Sequence, residues 1–471
     1  MTGGHALRSI RAMRNTPEAL LLRHVLETPE GAIPGEARAA ACRFAFDALA
    51  VGVAGTAHPA QPGVIAAARR WGSGAEASVW GEDLRLPAPQ AAFVNAFQAH
   101  ALEFDAIHEG AVVHAMTPTL SAAVAEAERQ GALGRPVPGA RFVAAIVAGI
   151  ELACVIGAAA RGPMRFFRPA TAGMFGAYGA VARLRGFDAA MGTAGAGLMI
   201  GQIPGTMQAH HEGSVALAVQ MGFAAAAAFR AADLAEAGLS GPQAWLTGAS
   251  GFLALTEPEH DLAPGLAALG APWQVTRLSH KPFPSGRLTH PAIDGVQRLL
   301  ARGWIDAALI EEVVLHLPPL ATRLVGRPLV SPLTPNYARL CLPYVVATTL
   351  RRATVDLADF SEARVTDAQT LALAARVTMR EDGTTDQNAV VPQAVELRMA
   401  GGRIERVVVE AAIGSPERPL SDDAQIAKAE ACVAASRHGF APAAVRDVLG
   451  RVLGLAQETD AGILGRLYAV Q

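Results

Sequence analysis

The chain has 471 residues, 51% apolar and 17% charged, enough for a sizeable core and two or three domains. Forty Lys plus Arg against 42 Asp plus Glu leave a formal charge of −2 and no basic stripe, which argues against nucleic acid. Cys42, Cys154, Cys341 and Cys432 lack CxxC or CxxH spacing, so they read as free thiols in a reducing, cytoplasmic setting rather than as disulfides or metal ligands.

The opening "MTGGHALRSIRAMRN" has arginines but no apolar core behind them, unlike a secretory leader, and bears a faint likeness to a transit peptide. From Pro17 to about Leu255 apolar residues recur at three and four, as in "ARAAACRFAFDALAVGVAG" and "RFVAAIVAGIELACVIGAAARG". These segments are apolar nearly all round and are expected inside a helical mass. "ASVWG", 77–81, is the one early strand pattern. The uncharged stretch 189–208 carries five glycines and a proline and reads as a buried helix followed by a loop, not a membrane span.

Near Pro272 the character changes. "WQVTRLS", "IEEVVLHLP", "ARVTMRED" and "QAVELRMAGGRIERVVVEAA" alternate and are β-branched, and Gly401–Gly402 marks a hairpin. Helical patterns lie between them, around 292–302 and 338–351, and helix returns after Ser421, a good N-cap. The expected fold is mainly α: a large all-helical domain built from both chain ends, residues 1–270 and 414–471, with a smaller α+β lid domain inserted at 271–413. The Gly/Pro-rich joins at 263–272 and 414–419 are hinge candidates.

Four segments carry candidate chemistry. "NAFQAHALEFDAIHEGAVVHAMTPTLSAAVAEAE" gathers His100, Glu103, Asp105, His108, Glu109 and His114 between two helices. Imidazoles beside carboxylates suit proton transfer, and the spacing is not that of HExxH, so no metal is expected. Arg168, before a small-residue helix, suits a carboxylate ligand. In "GTMQAHHEGSVALA" either His210 or His211 could face a cleft. In "SHKPFPSGRLTHPAID", Lys281 is one of only two lysines, the other being Lys428. In a chain that has otherwise turned its cations into arginine, a compact ammonium here points to function. Lys428 reads as an ordinary partner of an acid.

Taken in order, these segments resemble the MmgE/PrpD family, which includes 2-methylcitrate dehydratase, cis-aconitate decarboxylase and iminodisuccinate epimerase. "RPATAGMFGAYGAVARLRGFD", "KPFPSGRLTHPAIDG" and "SPLTPNYARLCLPYVVA" are similar to its later motifs, and the likeness runs from about residue 35 to 440. The resemblance implies a helical body with a lid, a homodimer, and a site between the two parts that works on small carboxylates without metal or organic cofactor. Carried over residue by residue, the catalytic set is His114, Lys281, Asp105 and Tyr344. The substrate-binding set is Arg168, His100, Glu103, His108, His211, Gln208, Arg287 and His290. Several family polar groups are replaced, by Ala106 and Ile107, by Arg168, by Gln208 and by Gly286, which argues against citrate-type or aconitate-type substrates. The expected activity is a cofactor-independent lyase, first of all a dehydratase, removing a proton next to the carboxylate of a small hydroxy-carboxylate. An isomerase or epimerase using the same residues and a non-catalytic carboxylate binder are the alternatives.

Overall fold

The computed structural model describes residues 15–303 and 305–469, and the described chain is mostly helical. Most of the arginine-containing opening, residues 1–14, therefore lies outside the described residues. The helical patterns of the first half become the helices Gly35–Ala54, Ala88–His100, Met116–Ala132, Gly139–Ala158, Gly173–Arg185 and Ala216–Glu236. Small residues set their spacing. A Cβ on Gly149 would lie 2.5 Å from the Gly176 carbonyl oxygen, and one on Gly176 would lie 2.9 Å from that of Gly149. The two helices thus meet backbone to backbone, which any larger side chain would prevent.

Segments Gly35–Ala57, Gly139–Ala158 and Ala216–Glu236 are long and apolar enough to cross a membrane by length and composition, and most of each is buried inside the fold. The uncharged stretch is a helix, Ala189–Met199, that ends in a 3-10 turn, Ile200–Gln202. The early strand pattern forms Ala77–Ser78, paired antiparallel with Arg85–Leu86.

The later segments supply a four-stranded sheet in the order Val377–Glu381, Ile310–Leu317, Gln393–Met399, Ile404–Val409. The first pair is parallel and the other two are antiparallel. Gly401 and Gly402 both have φ near +80°, the left-handed conformation that a tight hairpin requires. The helix His290–Ala301 covers the hairpin.

"WQVTRLS" departs from expectation. Only Leu278–Ser279 is strand, paired with Ile107–His108, and Gln274–Arg277 is a 3-10 turn. The cause is the buried Glu151 carboxylate. It accepts from the backbone N–H groups of Gly270 at 2.9 Å and Gln274 at 2.7 Å, which curls the chain around one side chain.

The end of the chain returns to its beginning. Asp422–Ala434, capped by Ser421 through the Ala424 N–H, and Pro442–Leu453 both pack on Gly35–Ala54. The turn Ala461–Arg466 packs on Met116–Ala132. All four cysteines are free and buried.

Lys428 is more than a surface partner. It is buried, pairs with Asp47 at 2.6 Å, and sits 4.2 Å from the centroid of the Phe104 ring. Removing one partner strands a buried charge. Lys428→Leu should cost about 3–5 kcal/mol, and the double variant Asp47→Leu/Lys428→Leu should be more stable than that single variant. Urea unfolding of the three proteins measures both effects.

Candidate active site

The site is built on the turn that leaves the Ala88–His100 helix. Three consecutive carbonyl oxygens there each accept a hydrogen bond from a cation supplied by a distant segment. Arg339 Nη1 donates to Leu102 at 3.0 Å, Lys281 Nζ to Glu103 at 3.1 Å and Lys428 Nζ to Phe104 at 2.9 Å. Glu103 has φ +51°, a left-handed conformation that a non-glycine residue rarely adopts unless its surroundings hold it. The fully buried Lys281 ammonium also binds the Glu103 side chain, Nζ to Oε2 at 3.0 Å. Both lysines of the chain thus grip one turn.

Beyond the turn, Asp105 joins two histidines. His100 Nδ1 lies 3.1 Å from both of its oxygens, His114 Nδ1 lies 3.0 Å from Oδ2, and the Thr117 hydroxyl donates to Oδ2 at 2.5 Å. His100 Nε2 is 3.5 Å from Glu103 Oε1. Burial pushes both imidazoles toward the neutral form, but the outcomes differ. At His100 the carboxylates Asp105 and Glu103 outweigh burial, and its pKa is raised. At His114 burial prevails over Asp105, helped by the nearby Lys281 charge, and its pKa is lowered. Burial would also raise the carboxylates, yet Lys281, His100 and His114 bring Glu103 down to about 2, and the two imidazoles hold Asp105 well below the usual range. His114 is therefore a neutral imidazole beside an ionised aspartate. Its Nδ1 stands 3.0 Å from Asp105 Oδ2 without the alignment of a hydrogen bond, so the contact between them is electrostatic.

By distance alone, His100, Asp105 and His114 could hold a metal ion, since one ligand atom from each lies within 4.8 Å of the others. The same atoms already stand at hydrogen-bonding separations, and Thr117 takes a further place on Asp105.

His114 and Glu103 line a partly open pocket of about 60 Å³. Its walls come from the helical segments, through Ile107 and Phe167, and from the sheet-bearing segment, through Leu320 and Val390. His210 and Arg287 reach the same wall, and Arg287 pairs with Glu109 at 2.6 Å.

The remaining residues expected at the site fall elsewhere. Lys281 joins the cluster but stands behind Glu103 and does not line the cavity. Tyr344 is not brought to it: its hydroxyl donates to the Asp359 carbonyl at 2.5 Å, beside a separate cleft shared with Arg351 and Arg352. Arg168 is spent on a buried bidentate pair with Glu257, at 2.7 and 3.2 Å, so it offers no fork to a ligand. His108 bonds Gln274, and His290 contacts Arg287 and the Ser285 carbonyl inside the core. Gln208 is exposed and bonds Glu212, and His211 is exposed while its neighbour His210 is buried. Successive helical side chains point about 100° apart. The sequence could not choose between the two histidines without knowing which face was covered. Arg339 lies within the segment "SPLTPNYARLCLPYVVA", but nothing in that segment singled the arginine out.

A neutral imidazole beside an ionised carboxylate, on the wall of a pocket between helices and a sheet-bearing segment, has the kinds of group that proton transfer needs. The chain belongs to the MmgE/PrpD family: the model of the family's N-terminal domain matches residues 21–264 and that of its C-terminal domain matches 283–447. Similar proteins include a cis-aconitate decarboxylase-like protein of Aspergillus oryzae, 28% identical over 64% of this chain and 65% of that protein. The cis-aconitate decarboxylases of Homo sapiens and Mus musculus are 24% and 27% identical, each over 71% of this chain and 70% of the relative. The chain thus spans just under two thirds of the fungal relative's length.

The depressed Glu103 pKa has a pH consequence. An ordinary glutamate titrates at 4.5 and this one at about 2 in the fold. Its contribution to stability is therefore complete above about pH 4.5 and is lost as pH falls toward 2. Glu103→Gln should flatten that part of the stability–pH curve relative to the parent, as read by urea midpoints between pH 5 and pH 2.5.

Proposed function

We propose that the protein is a lyase that works without metal or organic cofactor, most simply a dehydratase, removing a proton next to a carboxylate. The observation that carries this reading is the neutral His114, its Nδ1 3.0 Å from ionised Asp105, on a pocket wall. Family membership and the names of the relatives support an enzyme of the dehydratase or decarboxylase kind.

His114 Nε2 takes the α-proton. The electron pair left on the α-carbon forms the double bond as the β C–O bond breaks. The proton on His114 then passes to the departing hydroxide, giving water and restoring the neutral ring. The developing negative charge is met by fixed cations around the cavity, Arg287 on its wall and Lys281 behind Glu103, which need no reorganisation. Asp105 stabilises the transient imidazolium. Lys281 acts by holding Glu103 and the turn rather than by touching substrate. The second reading is epimerisation, favoured by one observation: His210 adds another imidazole to the wall from which a proton could return to the opposite face.

In this reading the sheet-bearing segment 271–413 acts as a lid over the helical body, and the enzyme is a cytoplasmic homodimer that needs neither membrane nor nucleic acid.

His114→Ala should lower turnover by about 10²-fold or more, and Lys281→Ala by a similar factor. Near-parental rates in both variants would overturn the assignment. Because the His114 pKa lies below 6.5 in the fold, the acid limb of kcat/KM should fall only at pH below 6.5. Dialysis against EDTA should leave the rate unchanged. Deuterium appearing at the α-carbon without loss of water would select epimerisation over dehydration.

A further inference from the structure

Glu103 lines two pockets. One is shared with His114; the other, of about 20 Å³, is shared with His58, His100, Ser214, Asn336 and Arg339. His58, Val215, Asn336 and Arg339 also border a groove of about 830 Å³, whose walls come from residues 54–60 and 334–363. The second pocket therefore continues into the groove, which has no lining residue in common with the pocket of His114.

The buried charges around Glu103 do not balance. Lys281, Arg327 and Arg339 all act on it, while the carboxylates are Glu103 itself and Asp105, so three permanent cations face two anions. His100, whose pKa is raised, adds to the excess. Lys281 holds the Glu103 side chain at 3.0 Å. Arg327 has Nε and Nη1 unpartnered, but it lies over the Tyr337 ring and lines neither pocket. Arg339 makes no ion pair among the described residues. Its buried guanidinium lies over the Phe360 ring, gives Nη1 to the carbonyls of Leu102 and Pro284, both at 3.0 Å, and leaves Nε without a partner. Burial brings its pKa down to about 10. It lacks the counter-charge that makes a buried cation tolerable.

The polar groups beside it are donors. His58 Nδ1 accepts from the Ala60 N–H at 3.1 Å, so its Nε2 carries the proton and donates to Asn336 Oδ1 at 3.2 Å. That fixes the Asn336 amide and leaves its two N–H groups without a partner among the described residues. The Ser214 oxygen accepts from the Ala216 N–H at 3.2 Å and keeps its own proton to give. His100 turns Nδ1 to Asp105 and has Nε2 without a hydrogen-bond partner. Glu103 is the one anion on this wall, and its Oε2 is held by Lys281.

We propose that this second pocket is an anion site separate from the substrate pocket: one negative charge, a halide or the carboxylate end of a molecule lying in the groove, sits among Arg339, His100, Asn336 and Ser214. The anion balances Arg339 and so stabilises the turn that Arg339 holds. Pro335, Leu357 and Phe360 give the groove apolar surface for the body of a carboxylate ligand. The site is independent of the lyase reading, and its test needs no turnover.

Crystals of the full chain are soaked in sodium bromide, and the ion is located by anomalous scattering. Thermal unfolding is followed while bromide or hexanoate replaces isethionate at constant ionic strength, which keeps screening fixed. A bromide peak is expected between Arg339 and His100, with a saturable rise in Tm of about 1–3 °C at ten times the dissociation constant. Asn336→Leu, and Val215→Phe at the junction of pocket and groove, should each weaken the anion about tenfold or more. Leu324→Phe, in the pocket of His114, should leave its affinity within about twofold. A response to hexanoate at lower concentration than to bromide identifies a carboxylate ligand of the groove, and a response to bromide alone identifies an inorganic ion. Absence of the peak overturns the proposal, as does a peak only beside His114. Parental affinity in whichever of Asn336→Leu and Val215→Phe folds by circular dichroism also overturns it, as does loss of the response in Leu324→Phe alone.

Discussion

The structure depends on three cations placed on three successive carbonyl oxygens. Leu102, Glu103 and Phe104 turn the chain out of a helix through a conformation that Glu103 does not favour, and Arg339, Lys281 and Lys428 hold it there. Each cation is buried and brings its own anion or ring: Lys281 has Glu103, Lys428 has Asp47 and Phe104, and Arg339 lies over Phe360. Buried charges are tolerable only when so satisfied. The strain in the turn and the burial of the cations are therefore one arrangement. It aims Asp105 at two histidines and leaves the Glu103 carboxylate on the cavity wall.

Chemical difference then arises between like groups. His100 and His114 share Asp105 and are both buried, yet one pKa is raised and the other lowered. Both feel the Lys281 charge, but His100 has a second carboxylate at hand in Glu103 and a hydrogen bond to Asp105. Two imidazoles around one aspartate thus lean toward different protonation states near neutrality, a separation that acid–base chemistry uses.

Much of this was legible in the sequence. The helical first half, the later strands and the hairpin at Gly401–Gly402 follow from periodicity and turn chemistry. The cluster between His100 and His114 was visible because its members lie close along the chain, and the scarcity of lysine singled out Lys281. Lys428 does pair with an acid, as read, but its burial was not visible: its partners are Asp47 and Phe104, more than three hundred residues away, and no local pattern reports them. Arg168 and Tyr344 illustrate the reverse. Both sit in motif-like surroundings, and their hydrogen bonds to Glu257 and Asp359 are decided by packing. The "WQVTRLS" segment had the right alternation for a strand and lost it to the Glu151 carboxylate.

The origin of the three cations bears on how the enzyme is made. Residues 281, 339 and 428 reach back to a turn at 102–104 from nearly every later part of the chain. Such long loops close late, after more local structure has formed. Contacts of this sequence separation close only after the intervening chain has been ordered, so the turn is locked by tertiary rather than local structure. A chain that stops short of residue 428 lacks one of the three cations, so the turn at 102–104 is fully held only when the distant segments have all arrived.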